Sequence, residues 1–465
     1  MRHRTLSRPL GGGDARLSPM DIWRRMLCIS FHVVVLVSVA WTQTPAPAEV
    51  QTDALGARAG EIAAWIAAEP VIDAQALGSG FLAAVPTKRL ASITRDLHKK
   101  GGAVIEVLPL QRDNRWSGRF ELVLERKRAL IATVTVSSTP PHVIEGLFFS
   151  APATVHSSPQ ELLEACVQLP GQVSLLAVRL PSMSEPAAAP FTVVAHAPER
   201  VLGIGSAFKL WILGALIEDV QKAKRTLADT LALRSAWCSA PSGRLQSWPM
   251  GAPVTLHTLA TAMISESDNT ATDHLLYSLG RGRVEAMLVP MGVAAPERNL
   301  PLLATSEMFR IKCSDEPQPP WEALDLAGRR ARLEAWSAAP LSWRDYDLAR
   351  LSKPTRIEGV EWFASAQDLV RTLAWLRQAT ESGPAAPLRE VLAVNPGLPQ
   401  VAARFAWCGY KGGSEPGVLA LAFLLRDEQG GWSCIAAVQN DPLTNLNEAP
   451  LMALVESAAR LLRPR

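Results

Sequence analysis

The sequence lacks the features that mark several large classes of protein. Its 465 residues include 47 basic and 44 acidic side chains, with no long basic run or stripe, which argues against binding to nucleic acid or to an anionic surface. The six cysteines and eight histidines form no Cys-x-x-Cys or His-x-x-x-His spacing, so we expect no metal site and no other cofactor. Hydrophobic residues make up 48% of the chain, enough for two or three domains with cores of their own.

Long apolar runs are also missing, apart from one short run near the N-terminus. Arg24 and Arg25 precede MLCISFHVVVLVSVA (residues 26–40), which ends in Ser-Val-Ala. A bilayer span needs about 20 apolar residues, whereas a basic segment, a shorter apolar run and small residues are typical of a signal peptide. We therefore predict a signal peptide over residues 1–40 and an exported protein, periplasmic or secreted, without a stable membrane span. An uncleaved anchor is the alternative.

Export would expose the cysteines that follow this segment to an oxidising compartment. Their odd number leaves at least one thiol free if all disulfides are intramolecular. Buried apolar cysteine is the simpler expectation for them. These cysteines are Cys166, Cys238, Cys313, Cys408 and Cys434.

The rest of the chain divides into a linker and two predicted domains. Residues 41–50 (WTQTPAPAEV) are a Pro/Ala-rich linker. Residues 51–152 contain two helix patterns, over residues 53–69 and 87–99, followed by strand patterns such as SGRFELVLERK; this order is typical of a small α+β domain. Residues 157–465 contain two strand patterns, a helical block, further strands and a closing helix. They predict a mixed α/β domain whose sheet is assembled from both ends of the domain.

Three short motifs occur in one order within the second predicted domain. Ser206-Ala207-Phe208-Lys209 begins an apolar run, GIGSAFKLWILGALIEDV, and is the only Ser-x-x-Lys in the chain. Ser267-Asp268-Asn269 falls between two helix patterns, and Lys411-Gly412-Gly413-Ser414 lies at the beginning or end of a strand pattern. Each motif is weak alone, because such short spacings arise by chance. Their joint order and settings make a common site the better interpretation.

The first motif has the chemistry of an activated nucleophile. A helix start offers free N–H groups and a dipole that favour negative charge near Ser206, and a spacing of three places Lys209 within reach of its oxygen. Apolar neighbours lower the pKa of an amine, so that a neutral Lys209 could take the hydroxyl proton. A helix-capping serine beside a surface-reaching lysine is the alternative. Ser206 is not within a Gly-x-Ser-x-Gly pattern, which disfavours an α/β-hydrolase.

The second motif could serve the same reaction from a loop between helices. The Ser267 hydroxyl could relay a proton to a leaving group, and the Asn269 amide could contact both the substrate and Lys209. The alternative is that the motif only caps the next helix, a role that we expect of Asp268 in either case.

The third motif could supply a strand edge for the substrate. The glycines after Lys411 let a substrate approach the backbone closely. The N–H of Ser414, together with that of Ser206, could form an oxyanion hole. The alternative is a plain turn.

The ordered triplet resembles the Ser-x-x-Lys, Ser-Asp-Asn and Lys-Thr-Gly motifs of penicillin-recognising serine enzymes, with Gly412 in place of Thr. From about residue 157 the chain resembles class A β-lactamases and related penicillin-binding proteins. PSGRLQSWPMGAPVTLHTLATAMISESDNTATDHL and VEWFASAQDLVRTLAWL resemble one branch, typified by the serine hydrolase of the clavulanic-acid biosynthetic cluster. The resemblance implies an antiparallel sheet flanked by helices with an all-helical subdomain, preceded by a small cystatin- or isomerase-like (NTF2-like) domain.

The resemblance also implies a role for each motif residue toward a small-molecule substrate, a β-lactam or a related ester. In chain order, Ser206 is acylated, Lys209 accepts its proton, Ser267 relays a proton, Asn269 contacts substrate and lysine, Lys411 anchors a carboxylate or tunes Ser267, and Gly412, Gly413 and Ser414 line the acyl group.

One element of the resembled family is missing. Its class A members carry a Glu-x-x-Leu-Asn pattern whose Glu activates the deacylating water, and no such pattern lies between Ser267 and Lys411. Glu297, Glu307 and Glu361 are the candidates, with solvated surface carboxylates as the alternative. Without a placed base, hydrolysis of the acyl-enzyme would lose about 100- to 10,000-fold. Three functions stay open: a hydrolase with slow turnover, a sensor that is acylated once, and a D,D-peptidase or esterase.

Overall fold

The computed structural model describes residues 53–182, 188–315, 317–338 and 342–463. The predicted signal peptide and linker lie outside these residues. Within them, no helix has both the length and the apolar content that a bilayer crossing requires.

The N-terminal part folds as helices followed by an antiparallel sheet. Its elements are, in order, the helices Ala54–Trp65 (α1), Ser79–Ala84 (α2) and Thr87–Gly101 (α3) and the strands Val104–Asn114 (β1), Ser117–Leu124 (β2), Arg128–Val136 (β3), Ile144–Phe149 (β4) and Ala153–Thr154 (β5). Strands β1 to β4 pair in chain order, and β5 pairs with β3. Strand β2 lies within the predicted strand pattern SGRFELVLERK, and its Phe120, Leu122 and Leu124 are buried in a core that also contains side chains of α1.

The helices of this part differ from the prediction in number and length. The first ends at Trp65 instead of continuing to residue 69, and the short helix α2 was not predicted. Pro70 disfavours helical backbone at residue 69, and the helix already ends with Ile66 as its C-cap. Helix α3 extends to Gly101, two residues beyond the predicted end, and Gly102 has a φ of 82°, the left-handed conformation typical of a glycine that ends a helix.

The second part combines a sheet with a block of helices. Its helices are Pro159–Val167 (α4), Lys209–Gln221 (α5), Leu256–Ser265 (α6), Asn269–Leu279 (α7), Arg281–Glu285 (α8), Thr305–Cys313 (α9), Leu326–Ala338 (α10), Ala366–Ala379 (α11), Pro387–Val391 (α12), Pro399–Ala402 (α13) and Glu448–Leu462 (α14). Its strands are Gln172–Arg179 (β6), Phe191–His196 (β7), Leu202–Gly203 (β8), Thr230–Ala232 (β9), Pro253–Thr255 (β10), Phe363–Ala364 (β11), Trp407–Glu415 (β12), Val418–Arg426 (β13) and Trp432–Asn440 (β14).

The main sheet has the strand order β12-β13-β14-β6-β7, with every neighbouring pair antiparallel. Strands from the beginning of this part therefore pair with strands from its end, which confirms the predicted assembly from both ends. Strand β14 is buried along its whole length, because helices cover both faces of the sheet. Helices α4 and α14 share a core with one face, while α11 packs against the same strands.

The third motif lies inside a strand, which corrects the prediction that Lys411 begins or ends one. Strand β12 runs from Trp407 to Glu415, and Lys411 pairs with Ala422 of β13. The chain turns only after Glu415, where Gly417 has a φ of 81°. Two adjacent glycines are tolerated in a strand where another part of the backbone approaches closely.

The five cysteines that the structure describes are all free and buried. This confirms the simpler expectation of buried apolar cysteine over a disulfide framework.

Candidate active site

Ser206 is the exposed point of a segment that is otherwise buried. Every residue from 202 to 217 is buried except Ser206, which is partly exposed. It lies in a 3-10 turn, Gly205–Phe208, directly before α5, and thus one step ahead of the α-helix in which it was expected. Below it, the ring of Phe208 stacks on Trp362 at a centroid distance of 3.7 Å. The close packing fixes the turn, so that the hydroxyl is presented on a rigid support.

Two buried side chains hold the backbone that leads into Ser206. The side-chain oxygen of Asn440 accepts a hydrogen bond from Gly203 N at 2.7 Å, and its Nδ2 donates to Gly203 O at 2.9 Å. One step further, Glu361 Oε2 accepts a hydrogen bond from Gly205 N at 3.0 Å. Because Gly205 has a φ of 49°, in the left-handed region that favours glycine, its own residue type is part of this geometry.

The 3-10 turn packs directly against strand β12. A Cβ atom on Gly413 would overlap the Ile204 carbonyl oxygen and the Ser206 nitrogen, and one on Gly205 would lie 3.2 Å from Ser414 N. Glycine is therefore required at position 413 for the two backbones to meet. The contact brings the N–H groups of Ser206 and Ser414 to one edge of the site, while their use as an oxyanion hole stays a prediction.

Two buried lysines share the hydroxyl of Ser267. Lys209 Nζ lies 3.1 Å from Ser267 Oγ, 2.5 Å from Ser267 O and 2.8 Å from Asn269 Oδ1. Lys411 Nζ lies 3.1 Å from the same Ser267 Oγ and donates to Gly412 O at 2.5 Å. The fold thus brings four residues from three distant motifs into one connected group.

Burial lowers the pKa of both amines. For Lys209 the loss of solvent is the main cause, and the charge of Lys411 lowers its pKa further. For Lys411 burial lowers the pKa to about 7. A neutral Lys209 can donate to Ser267 O and Asn269 Oδ1 and still accept from the Ser267 hydroxyl, which in turn accepts from Lys411. The geometry is therefore that of a proton relay.

The expected hydrogen bond between Ser206 and Lys209 is not formed. Lys209 is engaged by Ser267 and Asn269, and no hydrogen bond reaches the Ser206 hydroxyl from any residue that the structure describes. Catalytic hydrogen bonds are often long in an unliganded site and shorten when substrate binds. The nucleophilic role of Ser206 stays a prediction.

The loop of the second motif is strained and braced. Ser267 has a φ of 56°, a conformation that costs free energy in a residue with a side chain and is common at functional sites. The buried Asp268 accepts hydrogen bonds from Arg244 N at 2.7 Å and from Leu245 N at 2.9 Å. It also caps α7 through Ala271 N at 2.8 Å, which confirms its predicted role.

Two of the three candidate bases, Glu297 and Glu307, lie in surroundings that do not connect them to Ser206. Glu297 is exposed in a 3-10 turn, Pro296–Asn299. Glu307 is buried, forms an ion pair with Arg281 and accepts a hydrogen bond from Ala304 N at the start of α9. Neither carboxylate hydrogen-bonds to Ser206.

Glu361, the third candidate, is buried with both oxygens engaged. Its Oε2 accepts hydrogen bonds from Gly205 N and Trp362 N, each at 3.0 Å. Its Oε1 lies 3.3 Å from Lys312 Nζ. These contacts connect it to the backbone before Ser206, and none of them reaches the Ser206 hydroxyl.

The sequence reasoning did not identify three residues that build this site: Asn440, Lys312 and Glu415. A weak signal existed for Glu415, which directly follows the third motif. Asn440 and Lys312 lie in ordinary strand and helix patterns, and nothing in those patterns marks them out from other polar residues. Among the described residues, no group of three or more His, Cys, Asp or Glu side chains is arranged to hold a metal ion.

Residues 164–383 match the model of a family described as the β-lactamase enzyme family. The matched segment is a little less than half of the chain and contains the first two motifs, but not Lys411. This part of the protein is therefore β-lactamase-like. The antiparallel sheet flanked by helices and the helical block that carries Ser267 agree with a serine β-lactamase fold.

Several solved structures are similar to the chain at low identity. A β-lactamase from Sphaerobacter thermophilus DSM 20745 is 19% identical with a TM-score of 0.45, covering 66% of this chain and 95% of that chain. PBP-A is 16% identical (TM-score 0.45; 67% and 98% covered), as is a β-lactamase from Chitinophaga pinensis DSM 2588 (TM-score 0.44; 65% and 96% covered). No curated protein matches the chain significantly.

Proposed function

We propose that this protein is a serine hydrolase that forms an acyl-enzyme on Ser206 with β-lactam amides or related esters and hydrolyses it slowly. One observation carries the proposal: the amines of Lys209 and Lys411 share the Ser267 hydroxyl beside the turn that exposes Ser206. A merely structural serine and lysine would not need a second buried amine beside the strained residue Ser267.

In the proposed acylation, neutral Lys209 accepts the proton of the Ser206 hydroxyl while Oγ bonds to the substrate carbonyl carbon. The N–H groups of Ser206 and Ser414 stabilise the resulting oxyanion. The carbon–nitrogen bond then breaks, and the departing nitrogen takes a proton from the Ser267 hydroxyl. Ser267 is reprotonated by the ammonium of Lys209, which becomes neutral again, so that the net result is the transfer of one proton from Ser206 to the leaving group.

The third motif would hold the rest of the substrate. A charged Lys411 at the end of the relay attracts a carboxylate such as the one that penicillins and cephalosporins carry. Strand β12 is the edge strand of the main sheet, so a substrate backbone can lie along it, and the Asn269 amide oxygen accepts a hydrogen bond from Lys209 in the relay. This supports a substrate with an acyl group and a nearby carboxylate.

In the second half of the reaction, none of the three candidate carboxylates, Glu297, Glu307 and Glu361, hydrogen-bonds to Ser206 in the part of the chain that the structure describes. Glu297 is exposed, and the carboxylates of Glu307 and Glu361 are occupied by buried cations and backbone N–H groups. General-base assistance is worth about 100- to 10,000-fold. We therefore expect acylation to be faster than deacylation, so that the acyl-enzyme accumulates.

The test is the intact mass of the protein during incubation with a penicillin and with a chromogenic cephalosporin. We expect one substrate mass to add within the first turnover and to decay over a longer time. Ser206→Ala should add no mass. Ser247→Ala removes an exposed hydroxyl that bonds only to Arg244 O and should behave as wild type. No adduct on wild type, and no hydrolysis of the cephalosporin or of small acyl esters, would reject the proposal.

The absence of a placed base favours one alternative, a binding or sensor protein that is acylated once. Turnover of many substrate molecules by each protein molecule would exclude it. Release of D-alanine from a peptide ending in D-Ala-D-Ala would instead indicate a D,D-peptidase.

Finer assignments belong to the same proposal. From the sequence around its motifs, we propose that the protein belongs with the class A enzymes, in the branch of the clavulanic-acid-cluster hydrolase. We also propose that it is exported through the N-terminal signal peptide. Removal of residues 1–40 from the mature protein, measured by N-terminal sequencing of the secreted or periplasmic form, would support export.

A further inference from the structure

A buried cluster of three charged residues lies directly behind the Ser206 turn. Lys312 belongs to α9, Glu361 lies two residues before β11, and Glu415 is the last residue of β12. Lys312 Nζ lies 3.3 Å from Glu361 Oε1 and forms an ion pair with Glu415 Oε1. The side chains of Lys312 and Glu361 have no exposed surface, and that of Glu415 is 9% exposed.

The cluster contains two carboxyl groups but one ammonium. If all three were ionised, a net negative charge would be buried, which is costly unless a proton neutralises it. Burial raises the pKa of Glu415 to about 8, although Lys312 opposes this rise, and the nearby Glu361 adds to it. Oε2 of Glu415 is buried and receives no hydrogen bond, and a side-chain hydrogen bond with Glu361 adds to the rise in the pKa of Glu415. One proton shared by the two carboxyls therefore leaves the cluster neutral at pH 7.

Each carboxyl is connected to one side of the candidate oxyanion hole. Glu361 accepts the hydrogen bond of Gly205 N, and the next residue in the chain is Ser206. Glu415 directly follows Ser414 in β12. Lys312 contacts both carboxyls, so it joins the turn to the strand from behind. The two N–H groups that would stabilise an oxyanion thus depend on one buried cluster for their separation.

We propose that Lys312, Glu361 and Glu415 form a proton-sharing cluster that positions the Ser206 turn against β12. Glu361 is the positioning residue, and the turn stays ordered only while Glu415 keeps its proton. The proposal rests on the function proposed above, since it concerns the same site. It assigns Glu361 to the backbone, in place of the deacylating water for which the sequence made it a candidate.

Loss of the shared proton would disturb this arrangement. With both carboxyls ionised, mutual repulsion and the attraction of each for Lys312 would compete with the hydrogen bond from Gly205 N. The groups that face Glu415 are Lys312 and Glu361; the neighbouring Cys313 thiol stays protonated because burial raises its pKa. Acylation should therefore decline as the pH rises through about 8.

Three substitutions distinguish the effects of the carboxylate charge, of the shared proton and of the length of the Glu361 side chain. In Glu415→Gln the carbonyl can accept from Lys312 and the NH₂ can donate to Glu361, which reproduces the protonated carboxyl. In Glu361→Gln the NH₂ must face either a backbone N–H or Lys312, and all of these are donors. Glu361→Asp keeps the charge but shortens the reach to Gly205 N.

The first measurement is the rate constant of adduct formation on Ser206 from pH 6 to 10. We expect Glu415→Gln to acylate within about twofold of wild type at pH 7 and to lose the decline near pH 8. Glu361→Gln should acylate about 10- to 100-fold more slowly, the equivalent of one hydrogen bond to a charged group, with little change in KM. Glu361→Asp should fall between them.

Glu121→Gln is the matched control, because Glu121 is also buried and paired with cations but lies in β2, far along the chain from the site. It should lower stability without changing the pH profile of acylation. Wild-type acylation by Glu361→Gln, or an unchanged decline near pH 8 in Glu415→Gln, would overturn the proposal.

A second measurement distinguishes failure of this proposal from failure of the proposed function. Amide hydrogen exchange of a peptide that contains Gly205 and Ser206 reports the order of the turn without any substrate. We expect about tenfold faster exchange in Glu361→Gln and none of this change in Glu415→Gln at pH 7. If wild type forms no adduct yet exchange changes as expected, the hydrolase function is wrong and the cluster still positions the turn. Equal exchange in all variants would refute the cluster.

Discussion

At the scale of single residues, the site depends on lysines that lose their charge through burial. Lys209 and Lys411 are ordinary lysines in the sequence, and the fold encloses both completely. An isolated buried ammonium is unfavourable, so each amine shifts toward its neutral form. The charge of Lys411 lowers the pKa of Lys209 further, which favours a state in which Lys209 can accept a proton while Lys411 still carries one.

The pKa of Lys411 predicts how substrate binding depends on pH. Lys411 is an ammonium below about pH 7 and a neutral amine above it. If it anchors a carboxylate, KM for a penicillin should rise above pH 7 by up to about tenfold per pH unit. In Lys411→Arg the rise should disappear, because a guanidinium keeps its charge. Steady-state kinetics from pH 6 to 9 provide the measurement.

An acyl ester without a carboxylate is the control for this prediction, since its KM should not follow the charge of Lys411. The same rise for the ester and the penicillin would contradict the anchoring role and would indicate a change in the site as a whole.

At the scale of elements, strand β12 explains why the third motif has Gly412 instead of Thr. Residues two apart in a strand point to the same side, and a Cβ on Gly412 would overlap the hydroxyl oxygen of Tyr410. The Tyr410 ring is held in place by Phe423 of β13, at a centroid distance of 4.7 Å. Tyr410 thus occupies the space that a Thr side chain would fill.

We predict that Gly412→Thr destabilises the protein and that Tyr410→Ala compensates. Overpacking of this kind costs about 1–3 kcal/mol, and Tyr410→Ala alone should also be destabilising because it leaves a cavity. In the double variant each change relieves the other, so the loss should be smaller than the sum by about 1 kcal/mol or more. Urea unfolding of the four proteins completes the cycle, and strict additivity would show that the two side chains do not compete.

At the scale of the whole molecule, one buried ion cluster joins the first sheet to the second part. Glu121 of β2 forms ion pairs with Arg404, which follows α13, and with Arg460 of α14. Burial tends to raise the pKa of Glu121, but the two guanidiniums outweigh it and hold the pKa below its ordinary value of 4.5. The carboxylate is therefore ionised wherever the protein is folded near neutral pH.

Removing this carboxylate should destabilise the protein by about 3–5 kcal/mol at pH 7, because Arg404 is left buried without its partner. Since the folded pKa is the lower one, this stabilisation is present above pH 4.5 and is lost as the pH falls through the folded pKa. Urea unfolding of Glu121→Gln and wild type should thus differ at pH 7 and converge toward pH 3. Glu61→Gln, which alters an exposed pair with Arg58, should change stability by less than about 1 kcal/mol.

The sequence predicted those parts of the molecule that depend on local order. The helix near Ser206, although it begins only at Lys209, the loop at Ser267 between two helices, and the cap at Asp268 follow from residue spacing and short-range hydrogen bonding. The strand and helix patterns likewise predicted a sheet built from both ends of the second part. Prediction from the sequence failed where one local pattern fits two structures. Lys411 is an example, because the glycines that follow it are typical both of turns and of strands at close backbone contacts.

By itself, the sequence determined the order of the motifs, the residue types at the site and the elements that carry them. Only the tertiary structure decided which amines meet at Ser267, which glutamate supports the Ser206 turn and which stays in solvent. The physical reason is that charge and proton affinity depend on burial and on neighbours from distant parts of the chain. Lys312, Glu361 and Glu415 are separated by up to about a hundred residues, and no local pattern records that they meet.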